Sequence, residues 1–250
     1  PPERSGSVTR VALDPPEWSL DVDGVAEAVR SETALVVVNN PNNPTGRYHD
    51  GATMRAVADV AADADAALLV DEVYRELASE PHPPAASLGE HVYSTASLSK
   101  AYGLAGLRFG WFVGDAATVA RANRWKDYTT ISPGAFGHHL ARQALGPMED
   151  EILAESRALA ARNREVVADF LDEHRLTWHE PVGVNGFPTV PDGFDDAESF
   201  CLAVVEDASV VLAPGSAFGR PDRFRVGFGL PTEELREGLD RVSTVVAERT

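Results

Sequence analysis

Strand-sized apolar runs alternate with helix-like stretches from about residue 31 to residue 114. Four such runs predict buried strands, at residues 35–38, 67–70, 92–95 and 107–113. Between the first two, the alanine-rich stretch at 54–66 predicts a helix. Strands that alternate with helices usually pair in parallel and carry the helices on the sheet faces. The first part of the chain is therefore predicted to be an α/β domain with a mostly parallel sheet.

The second part of the chain is predicted to form a smaller α/β domain. Residues 116–173 have a mostly helical pattern, which Pro133-Gly134 and Gly146-Pro147 divide into roughly three helices. The last of these, at 148–174, is long enough to bridge two domains. Beyond it, the pattern predicts strands at 176–178, 210–212 and 224–226, and helices at 197–207 and 232–246. A boundary near Gly146 gives a large domain at 1–146 and a small domain at 147–250.

Polar segments follow three of the predicted strands, at 39–46, 71–74 and 97–100. Ligands of parallel α/β sheets bind beyond the carboxyl ends of the strands, so these segments predict a ligand site. The first contains N-P-N-N-P-T-G at 40–46, a string that also suits a rigid turn. In the second, D-E-V-Y at 71–74, Asp71 also suits a helix N-cap. The third ends at Lys100, with Arg108 eight residues later, and a polar loop with a solvated lysine is the simpler interpretation.

Taken in this order, the three segments resemble the class I/II aminotransferases, which are fold-type I enzymes that use pyridoxal 5′-phosphate (PLP). The matching patterns are N-P-x-N-P-T-G, D-E-x-Y, and S-x-S-K with an arginine eight residues on. The resemblance continues with A-P-G-S-A-F-G at 213–219 and F-R-V-G-F-G at 224–229, and covers about residues 14–246. It implies an aspartate aminotransferase-like fold, with an incomplete large PLP-binding domain and a small C-terminal α/β domain.

The resemblance also implies how the residues share the cofactor. Lys100 holds PLP as a Schiff base and, once the substrate amine displaces it, moves the proton between substrate Cα and cofactor. Asp71 pairs with the pyridine nitrogen and keeps it protonated, which makes the ring a better electron sink. Tyr74 and Asn43 hydrogen-bond the phenolic oxygen of the ring.

The remaining implied roles belong to anion-binding groups. Ser97, Ser99 and Arg108 hold the phosphate, because hydroxyls and a planar guanidinium donate well to its oxygens. Arg225 takes the substrate α-carboxylate in the same bidentate way, although Arg220 and Arg223 lie close in sequence. The implied partners are an α-amino acid, a 2-oxo acid and a second copy of the chain in a homodimer.

Three functions stay open on the sequence. The first is an aminotransferase, which moves an amino group in a ping-pong cycle through the pyridoxamine form of the cofactor. A PLP-dependent lyase acting at Cβ or Cγ shares the same cofactor residues, and only the aminotransferase must complete that half-reaction. The third is a truncated, non-catalytic protein of the same fold. The retention of Lys100 in a chain with so few lysines argues against the third.

Acidic residues dominate the charge of the chain. Its 39 Asp and Glu outnumber 22 Lys and Arg, for a net charge of −17, and the lysines are Lys100 and Lys126 alone. A field this negative repels nucleic acid and anionic membranes, which predicts neither as a partner. It also indicates a halophilic source, where counterions screen the self-repulsion. A GC-rich genome would explain the lysine count but not the acid excess.

Other features of the composition fit a cytoplasmic protein. The single Cys201 rules out an internal disulfide framework and a cysteine zinc site, and His138-His139 have no third metal ligand nearby. The apolar runs, such as 66–70, are too short to span a membrane. The N-terminus has no basic start followed by an apolar run, so we expect no secretory signal.

The chain departs from the family in the section before its first motif. Only 39 residues come before Asn40, whereas family members carry a long section there. That section supplies the glycine-containing phosphate loop, the aromatic residue stacked on PLP and residues that reach the partner subunit's site. Trp18 lies in a proline-rich connector and does not match the stacking position. We therefore expect either a fragment of a longer enzyme or the degenerate product of a shortened gene. The intact protein is expected to be an aminotransferase, and this chain alone to bind PLP weakly and turn over poorly.

Overall fold

The computed structural model describes residues 6–249. Its first part combines four strands with four helices. The strands are β1 (Leu35–Asn39), β2 (Ala67–Asp71), β3 (Val92–Ser97) and β4 (Gly110–Val113). The helices are α1 (Val22–Ala28), α2 (Gly51–Asp63), α3 (Ala116–Lys126) and α4 (Ala135–Ala144). All but α1 were predicted; α1 has only seven residues, too few for a clear helical period, and begins at the capping side chain of Asp21.

The four strands form one sheet in the order β1-β2-β3-β4. The first three pair in parallel, as predicted, while β4 runs antiparallel to β3. The predicted strand at 107–113 is too long, because a short 3₁₀ turn occupies Ala105–Leu107 and the strand starts at Gly110. The connection between β3 and β4 contains no α-helix, so the chain returns as a hairpin-like antiparallel neighbour.

The register of the sheet sets the position of the polar segments. Asn39 pairs with Asp71, and Asp71 pairs with Thr95, so β1 and β2 end at the same level and β3 extends two residues further. One face of this sheet packs on α1 and α2 through a core that includes Val38, Leu68, Val70 and Val92. The carboxyl ends of three neighbouring strands therefore present their following residues at a single edge.

The long helix α5 (Glu149–Glu173) connects the two halves of the chain. Near its start, Leu153 packs in a cluster with Tyr74 and Leu98 of the first half, and near its end Val167 and Phe170 join the core of the second half. Between them the fully buried Asn163 donates to the carbonyl oxygens of Phe228 and Leu230, at 2.8 and 2.7 Å. These bonds fix the helix to the chain that follows the last strand.

The second half consists of a small sheet covered on one face by helices. Its elements are β5 (Asn185–Gly186), α6 (Ala197–Ala208), β6 (Ala213–Pro214), β7 (Phe224–Gly227) and α7 (Thr232–Ala247). The strands form an antiparallel sheet in the order β5-β7-β6. Phe224, Val226 and Phe228 point into a core shared with α5, α6 and α7. Arg225, between them, lies on the opposite face by the alternation of a strand.

Two predicted strands of the second half are wrong. Residues 176–178 and 210–212 form no strand, although both are apolar and extended in pattern. Leu176 and Val210 instead pack individually on the helical core, and the ladder partners lie at 185–186 and 213–214. Among the helices of residues 6–249, none has the length and apolarity that a membrane span requires.

Candidate active site

The N-P-N-N-P-T-G loop after β1 is held by its own asparagines. The carboxamide of Asn40 bonds both the N–H and the carbonyl of His49, at 2.8 and 3.1 Å. Asn42 Oδ1 accepts from the N–H and hydroxyl of Thr45, and the Asn43 N–H donates to Asn39 Oδ1 at 2.6 Å. These bonds fix the loop backbone at the sheet edge, and the Asn43 side chain takes no part in them.

Gly46 joins this loop to the second half of the chain. Its φ of +70° lies in the left-handed region, and a Cβ there would come within 2.1 Å of the Pro181 Cβ. The close approach allows the Val182 N–H to donate to the Gly46 carbonyl at 2.8 Å. Glycine is therefore required by both backbone conformation and packing, and the loop docks directly on the segment that leads into β5.

Asp71 ends β2 at the carboxyl edge of the sheet. Its carboxylate is half-buried and accepts the Val73 N–H at 3.2 Å. Burial raises the pKa of Asp71, while that N–H and the positive charge of Lys100 oppose the rise. The position penalises an isolated negative charge, so a cationic partner for the free carboxylate oxygen would relieve the penalty.

Lys100 lies in the turn after β3 and faces the first polar segments. Its Nζ stands 5.8 Å from the centroid of the buried Tyr74 ring. The turn is closed by bonds from Gly103 N to the Lys100 carbonyl and from Leu104 N to the Leu98 carbonyl, at 3.0 and 2.8 Å. Lys100 itself is exposed, so its amine is open to a small molecule at this edge.

The predicted phosphate ligands share the same loop but bond only locally. Ser97 Oγ accepts the Ser99 N–H at 3.3 Å, as expected for a hydroxyl in a turn. Arg108 has left-handed backbone (φ 49°), is exposed, and donates from Nη1 to the Ala105 carbonyl at 3.1 Å. Within residues 6–249, these three side chains make no hydrogen bond to the other predicted site residues.

Arg225 reaches the same edge from the small sheet. Its Nη1 donates to Asn43 Oδ1 at 3.2 Å, and its guanidinium lies 5.5 Å from the Phe218 ring centroid. The two neighbouring arginines point elsewhere, since Arg220 and Arg223 each stand 5.1 Å from the Trp18 ring. Of the three arginines, Arg225 is the one that contacts a predicted cofactor residue.

The sequence analysis missed the role of Trp18. This buried residue lies between Arg220 and Arg223, 5.7 Å from the Phe187 ring, and so attaches the N-terminal connector to the small sheet. A tryptophan in a proline-rich connector, in a chain with four tryptophans, was the available signal. Phe218 belongs to the A-P-G-S-A-F-G motif, which assigns it no role of its own, and its ring packs against Arg225.

The residues at this edge fit PLP as a group. An exposed lysine amine can bind its aldehyde, and a half-buried carboxylate with a raised pKa favours a protonated ring nitrogen. Ser97 ends β3, and Ser99 and Arg108 lie in the connection to β4 that also carries Lys100, so these residues offer donors for a phosphate. The arrangement provides one covalent attachment point, one anion for the ring nitrogen, and separate cations for phosphate and carboxylate.

Comparisons with known proteins agree with this geometry. The family model "Aminotransferase class I and II" matches residues 3–242. The chain is 33% identical over 229 residues to capreomycidine synthase of Streptomyces vinaceus, covering 89% of this chain and 58% of that protein. It is 29% identical over 250 residues to aromatic-amino-acid aminotransferase 2 of Thermococcus litoralis, covering 93% and 62%.

Solved structures show the same fold. A PLP-dependent aminotransferase from Streptococcus suis 89-1591 superposes with a TM-score of 0.88 at 28% identity, over 94% of this chain and 63% of that one. The chain therefore spans about three fifths of the length of the relatives it matches. Members of the matched family use PLP. Because this family model matches almost the whole length of the chain, the chain belongs to the aminotransferase class I and II family.

Proposed function

We propose that this chain carries the site of an aminotransferase that moves an amino group between an α-amino acid and a 2-oxo acid. The observation that carries the proposal is the hydrogen bond from Arg225 Nη1 to Asn43 Oδ1. This bond connects Arg225, whose guanidinium is suited to bind a carboxylate, to the loop that contains Asn43. The loop lies at the sheet edge where Asp71 and Lys100 are also found. A substrate held by its carboxylate at Arg225 thus lies beside the cofactor residues.

The cofactor supplies electron withdrawal, which stabilises the negative charge left at substrate Cα when its proton is removed. Lys100 is proposed to bind PLP through its amine and, after the substrate takes its place, to carry the proton from and to Cα. Asp71 would accept a hydrogen bond from the ring nitrogen and keep the proton there. Tyr74 and Asn43 would donate to the ring oxygen, and Ser97, Ser99 and Arg108 would hold the phosphate.

Arg225 is proposed to orient the substrate. Its Asn43 and Phe218 contacts restrict the guanidinium from two sides, which lowers the entropy lost when a carboxylate binds. A carboxylate held by Arg225 would limit the movement of the substrate Cα, so that its proton would be presented to the Lys100 amine. We keep the domain assignment of 1–146 and 147–250 in this proposal, with substrate bound between the two domains.

A second reaction to be tested is PLP chemistry at Cβ or Cγ; the relative at 33% identity is named a synthase and not an aminotransferase. Both reactions begin with loss of the Cα proton and need the same cofactor residues. They diverge once that proton has left. Only the aminotransferase leaves the amino group on the cofactor and releases a 2-oxo acid, which a second oxo acid then reverses.

We expect that an amino acid added to the PLP-loaded chain, without any oxo acid, converts the cofactor stoichiometrically to pyridoxamine 5′-phosphate. Chromatography of the released cofactor measures this, and addition of a 2-oxo acid should restore PLP. Loss of a Cβ or Cγ substituent with no pyridoxamine form would instead establish the lyase. A folded chain that binds PLP and does neither would identify a non-catalytic protein.

We also propose a homodimer that works at high salt. Helices α3 and α4 and the turn between them expose a group of large apolar side chains, Trp125, Tyr128, Ile131, Phe136 and Leu140. Phe136 is 90% exposed, and apolar clusters of this kind mark association surfaces. The net charge of −17 supports the salt requirement, since counterions must screen the repulsion within and between copies.

Sedimentation velocity tests both statements in one experiment. In 2 M KCl we expect a compact species of twice the chain mass, and in 0.1 M KCl an expanded or monomeric one. Phe136→Asp should give monomer at either salt concentration. A compact monomer at both concentrations would contradict the proposal. Cytoplasmic location completes the proposal, supported by the single buried Cys201, and fractionation of the source cells checks it.

A further inference from the structure

The small sheet has a second face that carries polar residues toward the first half of the chain. Asn185 pairs with Gly227 and Gly186 with Val226, and the same register continues to the Thr189–Arg223 bridge. Residues opposite each other in an antiparallel pair point to the same face. Because Val226 points into the core, Asn185 and Gly227 lie on the other face, together with Arg225.

Asn185 lies diagonally across from Arg225 on that face. Diagonal neighbours of this kind are about 7–8 Å apart, within reach of polar side chains that share a ligand. The backbone of Asn185 also touches the cofactor loop, since a Cβ on Gly46 would lie 3.1 Å from the Asn185 carbonyl oxygen. The residue therefore stands at the contact between the small sheet and the loop that carries Asn43.

Within residues 6–249 the carboxamide of Asn185 makes no hydrogen bond, although the residue is only partly exposed. Gly227, which pairs with Asn185, has no side chain. A Cβ built on Gly227 would have one neighbouring atom within 4 Å, the Asn185 Oδ1 at 3.8 Å. A half-buried amide with two donors and an acceptor unused is costly unless a ligand or solvent satisfies it.

We propose that Asn185 is a substrate-binding residue that donates a hydrogen bond from Nδ2 to the carboxylate held by Arg225. The inference rests on the proposed function, because it assumes that Arg225 takes the substrate carboxylate. A carboxylate has about four acceptor positions, and a bidentate arginine fills two. Asn43 Oδ1 accepts from Arg225, and the Asn43 Nδ2 is assigned to the ring oxygen in the proposed function, so a further donor to the carboxylate is sought on the same sheet face. Asn185, on the same sheet face, supplies it.

The test compares two near-isosteric variants. Asn185→Leu removes the donor, whereas Asn185→Asp replaces it with a charge that repels a carboxylate. The same chemical change at the exposed Asn123 of α3, Asn123→Leu, is the matched control. The probe is propionate, which carries a carboxylate and makes no assumption about the substrate side chain. Its dissociation constant is measured by NMR titration of the PLP-loaded chain, and thermal unfolding checks that each variant is folded.

We expect Asn185→Leu to raise the propionate dissociation constant about 10-fold, the usual effect of one lost hydrogen bond to a charged group. Asn185→Asp should raise it further, and Asn123→Leu should leave it unchanged. Wild-type affinity in both Asn185 variants, or no propionate binding to the wild-type chain, would overturn the inference. Failure of the proposed function shows separately, as absence of cofactor conversion with an amino acid, because propionate binding requires no turnover.

Discussion

Replacing Lys100 with alanine should abolish covalent PLP binding and lower the rate of cofactor conversion by about 10²–10⁴-fold or more. That range is the contribution of one positioned proton-transfer group, and Lys100 is also the proposed attachment point. Its amine faces Tyr74 at 5.8 Å and is close enough to Asp71 for its charge to affect the pKa of that carboxylate. No other lysine amine stands at this edge, since the remaining lysine, Lys126, lies on α3.

Lys126 provides the matched control for this experiment. It donates to Thr130 in an exposed stretch, and it is the one other lysine of the chain. Lys126→Ala should therefore keep both the absorbance of bound PLP and the conversion rate. If Lys100→Ala retains the absorbance band while Lys126→Ala loses it, the assignment of the site is wrong.

Asp71→Asn should lower the conversion rate by about 10²–10⁴-fold while the cofactor remains attached to Lys100. Asparagine keeps the shape of the side chain but loses the charge that holds a proton on the ring nitrogen. Removing one partner of a buried ion pair typically costs about 3–5 kcal/mol, which sets this range. Asp59→Asn, a change of the same charge at an exposed position on α2, should have no effect.

The same substitution should have the opposite effect on the stability of the cofactor-free chain. Burial raises the pKa of Asp71 above its unfolded value, so ionisation is disfavoured in the folded state. The stability of the fold consequently falls as pH rises through the unfolded and then the folded pKa, and the full penalty is present above the folded pKa. Asp71→Asn removes it, and we expect an equal or higher melting temperature at pH 7. A lower melting temperature together with unchanged activity would show that Asp71 is structural.

The parallel part of the sheet could be predicted because its signals are local. Continuous apolar runs fix β1, β2 and β3, and the polar residues that follow them must meet where parallel strands end. The helical pattern of α5 and α7 could be predicted equally well, because both helices are long. The strand partners in the small sheet could not be predicted, because β5 and β6 have two residues each and are defined only by their pairing with β7. Apolar residues at 176–178 and 210–212 satisfy the same pattern by packing on helices.

The candidate site divides in a similar way. The motifs identify Lys100, Asp71 and Asn43 from sequence order and spacing, but they do not say which arginine reaches the loop. In the structure Arg225 contacts Asn43, whereas Arg220 and Arg223 contact Trp18. Each of these contacts joins residues more than 180 positions apart in the sequence. Gly46 shows the same limit, since its need for glycine comes from Pro181 in the other half of the chain. Contacts of this range have no local signature.

Covalent binding of PLP by Lys100 is the central claim, and borohydride reduction followed by peptide mapping tests it most directly. The chain is incubated with PLP in 2 M KCl, reduced, digested and analysed by mass spectrometry. We expect a phosphopyridoxyl group on the peptide that contains Lys100 and none on the peptide that contains Lys126. A folded chain that carries the label on Lys126, or carries none, would contradict the claim.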